Sequence, residues 1–260
     1  MRERTVDITT ADGIMPTFVT HPETGGPFAP VVLFMDVWGF REQLCDIARR
    51  IATVGYAALV PNLYYRKGGV TFDYRHEDGR TRSLKDLPKA EQDRIYAVHE
   101  HLTDPMVVAD CAALLDFIDG DAANGGAIRG GGPVGSIGWC MGGRHVIRAA
   151  AAHPARFRAT ASLHPTRLVG EDGPDAPYRD APKCRGEVYV GWGEHDHYAP
   201  AEVIATVRDA FKGQPASYDD VLHLGADHGY AIPDRDVFDK HAAARDWERI
   251  FAMYRRVLQP

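Results

Sequence analysis

A thiol, an imidazole and a carboxylate can together run acyl transfer: the thiolate attacks, the ring moves the proton and the carboxylate orients the ring. Cys140, Asp196 and His228 are candidates for those roles, in that chain order. Cys140 carries the sharpest signal. It stands at the centre of Gly138-Trp139-Cys140-Met141-Gly142, the G-x-nucleophile-x-G pattern of a strained strand-to-helix turn, with cysteine where serine is commoner. The flanking glycines let strand and helix approach with no Cβ between them. Such a turn pushes the sulfur over the end of a sheet, where the amides and positive dipole end of the next helix favour the thiolate. The plainer alternative is a buried structural cysteine beside a glycine-rich turn, since free cysteine is among the most buried residue types.

In the catalytic reading His228 takes the thiol proton or pairs with the thiolate, and later activates the hydrolytic water. Asp196 fixes the ring tautomer and supports its cationic form. The amides of Met141 and of Val37, in the loop after the Pro30–Asp36 run, are candidate oxyanion-hole donors, each worth roughly 3–4 kcal/mol in a transition state. Asp196 taken alone reads equally well as a solvated loop carboxylate. His195, Asp196, His197, His223 and His228 could be imagined as a metal site, but no HExxH-type helical pairing supports one. Glu194, His195 and His197 read as loop residues, His145 and His153 as packing or helix-end residues, and Ser136 as a strand residue lying before the turn.

The elements that must position these groups follow from periodicity and turn chemistry. Thr5–Thr10 and Met15–His21, separated by Ala11-Asp12-Gly13, form a hairpin signal. Pro30–Asp36 is an apolar run ending in a carboxylate and suits a strand buried on both faces. Glu42–Val54 has helical apolar spacing and stops at Gly55, and Tyr56–Val60 is a buried strand broken by Pro61. Asn62–Pro88 is polar, rich in glycine and arginine, and reads as loop or lid. Lys89–His101 and Asp104–Ile118 read as helices, the second with Asp104 as cap and Pro105 at the first position. An alanine- and glycine-rich loop, Asp119–Gly132, leads to the strand before Cys140. Then come a helix over Gly142–His153, strands over Ala159–His164 and Glu187–Trp192, a helix over Ala201–Phe211, an extended run over Asp220–Leu224, and a closing helix from about Val237 to Val257. Strands alternating with helices predict an α/β fold with a mostly parallel sheet covered on both faces, in one domain spanning residues 1–260. Cys140, Asp196 and His228 each fall just past a predicted strand, at the carboxyl edge where open α/β sheets bind ligands.

The formal net charge of −6, with no dense run of lysine or arginine, argues against a nucleic-acid or anionic-membrane partner. No apolar stretch approaches the roughly 20 residues that span a bilayer. The N-terminal residues lack the apolar core of a signal peptide, which predicts a cytoplasmic protein. Four scattered cysteines, Cys45, Cys111, Cys140 and Cys184, offer neither a disulfide framework nor a CxxC motif. The sequence is silent on oligomeric state.

The chain resembles the dienelactone hydrolase family over most of its length. The resemblance is carried by Met35-Asp36-Val37-Trp38-Gly39, Pro61-Asn62-Leu63-Tyr64, the Cys140 elbow, Asp196-His197-Tyr198-Ala199-Pro200 and His228-Gly229-Tyr230-Ala231-Ile232-Pro233. It implies an α/β-hydrolase fold, a Cys140-Asp196-His228 triad, hydrolysis of an enol-lactone or related small ester through a thioester, and no cofactor. It also implies a thiol-contacting glutamate at the end of the third strand, where this chain has Asp36, shorter by about 1.5 Å. The family's type enzyme holds its substrate's carboxylate with arginines, one of them four residues past the histidine, where this chain has Ile232. With Trp38, Phe40, Trp139, Tyr198 and Tyr230 expected around the substrate, neutral or apolar esters and lactones are the predicted preference. Against that stands an arginine from the Arg66–Arg94 segment folding over the pocket. The rival activities are a general carboxylesterase or thioesterase on the same triad, and a non-catalytic redox-sensitive or binding protein.

Overall fold

The computed structural model describes residues 1–120, 124–170 and 175–258. The chain opens on an antiparallel hairpin, β1 (Arg2–Thr10) and β2 (Gly13–His21), in unbroken register from Arg2 opposite His21 to Thr10 opposite Gly13. Six further strands follow: β3 (Ala29–Phe34), β4 (Tyr56–Pro61), β5 (Val134–Trp139), β6 (Phe157–Leu163), β7 (Glu187–Gly193) and β8 (Ser217–His223). They join one sheet in the order β1-β2-β4-β3-β5-β6-β7-β8, with β2 antiparallel to β4 and every pair from β4 to β8 parallel. Every residue of β3, β4 and β5 is buried, as continuous apolar runs without alternation require.

The helices are α1 (Glu42–Thr53), α2 (Lys89–His99), α3 (Asp104–Asp119), α4 (Met141–Ala152), α5 (Ala201–Phe211) and α6 (Lys240–Leu258). The crossover β3-α1-β4 runs one way along the sheet and β5-α4-β6 the other. The right-handed rule for such crossovers places α1 and α4 on opposite faces. α6 joins α1, where the Arg50 guanidinium sits 4.5 Å above the Trp247 ring. The direction of winding reverses between β3 and β5, and a crevice opens at the carboxyl ends of such strands. Cys140 follows β5 and Val37 follows β3, so both stand at that crevice.

Several boundaries differ from the sequence reading for identifiable reasons. Thr103, not Asp104, caps α3 by accepting a hydrogen bond from Met106 N, while the Asp104 carboxylate takes Arg144 and Arg148. α6 starts at Lys240 rather than near Val237, because Asp239 Oδ1 accepts from the amides of His241 and Ala242. β8 is longer than the run at Asp220–Leu224; an edge strand only half buried leaves a weak apolar pattern. The Asn62–Pro88 segment is irregular apart from single turns at Tyr65–Lys67 and Leu84–Asp86. It is pinned over the sheet edge: Thr81 N donates to Asp234 O at 2.7 Å, and Ser83 N and Oγ donate to Asp236 at 2.8 and 3.0 Å. Residues 121–123 of the expected Asp119–Gly132 loop lie outside the described residues. Among the described residues no helix is long and apolar enough to cross a membrane.

Candidate active site

Cys140 sits between β5 and α4 with φ 56° and ψ −118°, a conformation that residues with a Cβ rarely hold. The neighbouring glycines make it possible. A Cβ on Gly138 would lie 2.1 Å from the Gly142 carbonyl oxygen, and one on Gly142 would lie 2.2 Å from the Phe34 carbonyl oxygen. No side chain fits at either position, so strand and helix close on each other and the sulfur is delivered to the crevice. Cys140 N donates to Leu163 O and Thr166 N donates to Cys140 O, both at 3.1 Å, which locks the turn to β6 and the loop beyond it.

His228 Nδ1 lies 2.7 Å from Asp196 Oδ2, and Asp196 Oδ1 accepts from Tyr198 N at 2.9 Å. Both carboxylate oxygens are therefore occupied, and the ring is held through its Nδ1 side. Burial by itself lowers the His228 pKa; interactions with Cys140 and the Asp196 carboxylate outweigh it and raise the ring to about 10. The rings of His164 and Tyr198 stand 5.0 Å from His228 and that of His197 6.0 Å. The other three cysteines are buried. Desolvation, helped by Glu42 at Cys45 and by Asp180 at Cys184, pushes those two thiols up to about 12, and burial pushes Cys111 higher still. The Ser136 hydroxyl is buried against Thr160 at 3.4 Å.

Val37, Trp38, Cys140, Met141, Tyr198 and His228 border one cavity of about 170 Å³. The Val37 amide donates to no acceptor among the described residues, and the Met141 amide, as the first N–H of α4, has no partner inside the helix. Asp36 is differently placed from the expectation of a thiol contact. Arg41 donates to its two oxygens at 2.6 and 3.0 Å, and Trp38 N donates to Oδ1 at 3.2 Å. Arg41 also reaches Asp234, at 2.7 and 3.1 Å.

Two residues expected at the substrate are core residues instead. Trp139 is fully buried under the elbow, and Tyr230 is fully buried with its hydroxyl donating to Asp246 at 2.8 Å. Asp246 also binds Tyr189 and His223, at 2.6 and 2.7 Å, forming a buried polar anchor beneath the segment that carries His228. Ile232 is fully buried in the core as well, so it does not face a substrate. The cations that line the cavity are Lys85, Arg167 and Arg235. Four arginines of the Arg66–Arg94 segment are engaged elsewhere: Arg66 with Asp12 and Asp110, Arg75 with Asp73, Arg80 with Asp78 and Arg94 with Glu91; Arg82, whose Nε is buried without a hydrogen-bond partner among the described residues, does not border the cavity. Arg235 lay in plain sight three residues past Ile232, yet no periodic pattern announces which side chains of that turn-rich segment point inward. Among the described residues no group of His, Cys, Asp or Glu side chains is arranged to hold a metal ion.

A mostly parallel sheet with a strained strand-to-helix elbow after its fifth strand is the architecture of an α/β hydrolase. The chain belongs to the dienelactone hydrolase family, whose profile matches residues 15–258, and with it to the carboxylic ester hydrolases. It is 27% identical over 254 residues to a candidate carboxymethylenebutenolidase from Methylorubrum extorquens, covering 96% of this chain and 80% of that one. A candidate carboxymethylenebutenolidase from Escherichia coli K12 is 25% identical over 249 residues, covering 93% and 82%. The crystal structure of a candidate dienelactone hydrolase from Klebsiella pneumoniae superposes with a TM-score of 0.79 at 24% identity, over 97% of this chain and 98% of the other. That last likeness speaks to the fold.

Proposed function

We propose that this chain hydrolyses a small lactone or ester bearing a carboxylate, by covalent catalysis at Cys140. The observation that carries the reading is the single line of groups at the crevice: a thiol on a strained elbow, a histidine beside it, and a buried carboxylate 2.7 Å behind that histidine. Cys140 Sγ, as the thiolate of an ion pair with His228, attacks the acyl carbon. The amides of Val37 and Met141 donate to the carbonyl oxygen as it gains charge. The bond from acyl carbon to ring or ester oxygen then breaks, and His228 gives its proton to that leaving oxygen. In a lactone the leaving oxygen remains tethered to the thioester. The now neutral His228 takes a proton from water, the hydroxide adds to the thioester carbon, and the acid product departs as the Cys140 thiolate and the His228 imidazolium are restored. Asp196 stays ionised throughout and stabilises the ring's charged form.

The preference for an anionic substrate replaces the neutral one expected from the sequence. That expectation rested on Ile232 facing the substrate among large aromatic side chains, and Ile232, Trp139 and Tyr230 are in the core while Trp38 and Tyr198 line the cavity. Arg235 is 4% exposed, lines the cavity and has its Nε buried without a hydrogen-bond partner among the described residues, while its guanidinium lies 5.5 Å over the Trp38 ring. A buried cation in that state favours a ligand carboxylate. The test is turnover of p-nitrophenyl acetate and of a carboxylated dienelactone by wild type and by Cys140→Ala, with intact-mass detection of the acylated enzyme. Loss of both activities and of the acyl adduct in Cys140→Ala is the expected result; turnover surviving that substitution overturns the proposal.

A further inference from the structure

Among the described residues, three other than glycine hold a positive φ: Cys140 at 56°, His164 at 36° and Arg167 at 51°. The elbow accounts for the first. The other two bracket a four-residue loop, His164 to Arg167, that leaves the carboxyl end of β6. The loop is held at every step, since His164 N donates to Gly191 O at 2.8 Å, Thr166 N to Cys140 O at 3.1 Å and Arg144 Nη1 to Arg167 O at 3.1 Å. Strain of this kind persists where the surroundings over-determine it, and it concentrates at binding sites.

The strained loop delivers two side chains. His164 turns inward, fully buried, edge-on to His228. Arg167 turns to the crevice. It is half-buried, and its guanidinium makes no hydrogen bond or ion pair among the described residues. Its basic neighbours are paired: Arg144 and Arg148 with Asp104, at 2.6 and 2.7 Å, and Lys183 with Asp180 at 2.8 Å. Arg167 lines the small cavity at Cys140 and also a second one of about 730 Å³, bounded by the α2–α3 turn, α4 and the segment around Asp180. His99, Thr166 and Arg167 form the wall common to both. The smaller cavity alone is below the usual size of a ligand site, about 300–1,000 Å³, whereas the two together fall within it.

Two guanidinium groups without carboxylate partners among the described residues thus border the reacting centre from different elements, Arg235 from the segment after His228 and Arg167 from the loop after β6. Only Arg167 also faces the larger space. We infer that the ligand carries a second anionic group, carboxylate or phosphate, which Arg167 binds at the mouth of the larger cavity. This deepens the proposed function, since it takes Arg235 as the site of the first carboxylate. It makes the substrate longer than a simple lactone acid and anionic at both ends.

Calorimetric titration of the intact wild-type protein tests this without turnover, so a failure of Cys140 as nucleophile leaves the measurement untouched. The probes are straight-chain dicarboxylates from succinate to suberate, each compared with the monocarboxylate of equal carbon number, and the matching phosphonocarboxylates. At least one doubly anionic probe is expected to bind about tenfold more tightly than its monoanionic partner. Arg167→Asn, a residue suited to the positive φ, is expected to abolish that advantage, and Arg167→Lys to keep part of it. Equal affinity of mono- and dianionic probes in the wild type, the absence of binding by either at about 10 mM, or an advantage that survives Arg167→Asn with the fold intact by circular dichroism, would each overturn the inference.

Discussion

Arg41 closes on Asp36 with both terminal nitrogens, at 2.6 and 3.0 Å, while its Nε and Nη2 reach Asp234 at 2.7 and 3.1 Å. Burial alone would lower the guanidinium pKa, but the two carboxylates hold it above its ordinary value. The bridge ties the turn after β3, with its Val37 amide, to the segment that follows His228. Removing one partner from a buried ion pair leaves uncompensated charge, so Arg41→Ala is expected to lower stability by about 3–5 kcal/mol in urea unfolding. Arg41→Lys should recover only part of that, because an ammonium cannot span both carboxylates in a fork. Asp36→Asn should also destabilise, while the acid limb of the kcat/KM profile stays where it is in wild type. A displaced acid limb would make Asp36 the partner of the resting thiol instead of a strut.

The pH behaviour of His228 gives a second test. Burial disfavours its cation, yet interactions with Cys140 and Asp196 raise it from 6.5 to about 10. The stability this pairing contributes is fully present below the unfolded-state value near 6.5 and is lost as pH rises through about 10. Activity that needs the imidazolium should fall along the same alkaline limb. Asp196→Asn removes one of the supports, so the limb should move to lower pH and kcat should drop by up to about 10⁴-fold. An alkaline limb unmoved by that substitution would detach Asp196 from the ring's chemistry.

Thiol reactivity separates Cys140 from the other cysteines. Cys45 and Cys184 are pushed up to about 12 and Cys111 further, all chiefly by burial, so their thiolate fractions at neutral pH are negligible. Iodoacetamide at pH 7 followed by peptide mapping should label Cys140 first, with activity lost in step. Early labelling of Cys184 with activity retained would remove Cys140 from its assigned role.

The parts of this site that could be read from the sequence are those encoded locally. Glycine spacing around Cys140, and the placement of Asp196 and His228 just past strands, need only the period of a strand and the sterics of one turn. The Arg41 bridge joins residues 193 positions apart through irregular backbone, where no period fixes side-chain direction. The same physics misplaced Ile232. Between Gly229 and Phe238 the chain makes consecutive turns, with Ile232 N donating to Gly229 O, Arg235 N to Ile232 O and Phe238 N to Arg235 O. These turns send Ile232 into the core and Arg235 to the cavity. Trp139 and Tyr230 lie in the core because large aromatics beside a reacting residue serve equally well as the packing that holds it.

Fully buried His164 and half-buried His99 both lower acid stability. Desolvation, reinforced by His145 and Arg167, lowers His99 to about 4, and burial with the charge of His228 lowers His164 well below its ordinary value. For either ring the unfolded chain binds a proton near pH 6.5 and the native one only at lower pH. Between those values the unfolded state holds more protons, so stability falls as pH drops from 6.5 towards 4. Each such proton is worth about 1.4 kcal/mol per pH unit across that window. Urea unfolding at pH 7 and pH 5 should show the loss, and His99→Phe should reduce it. An unchanged difference between the two pH values in that variant would mean that His99 does not titrate with folding.

In the proposed function Arg235 sets what the small cavity accepts. Its guanidinium rests on Trp38, and a Cβ on Gly229 would come within 3.0 Å of Arg235 Nη1, so the side chain is fixed between the Trp38 ring and the backbone beside His228. A cation held this rigidly loses little entropy on meeting a carboxylate, and bidentate geometry is available to it. In wild type, kcat/KM for a carboxylated dienelactone should exceed that for a neutral lactone of similar size by about tenfold or more, close to 1.4 kcal/mol. Arg235→Gln should erase the preference mainly through KM, because the carboxylate is bound alike in ground and transition states. If the neutral lactone is the better substrate in wild type, the cavity selects for apolar groups after all and Arg235 is a packing residue for Trp38.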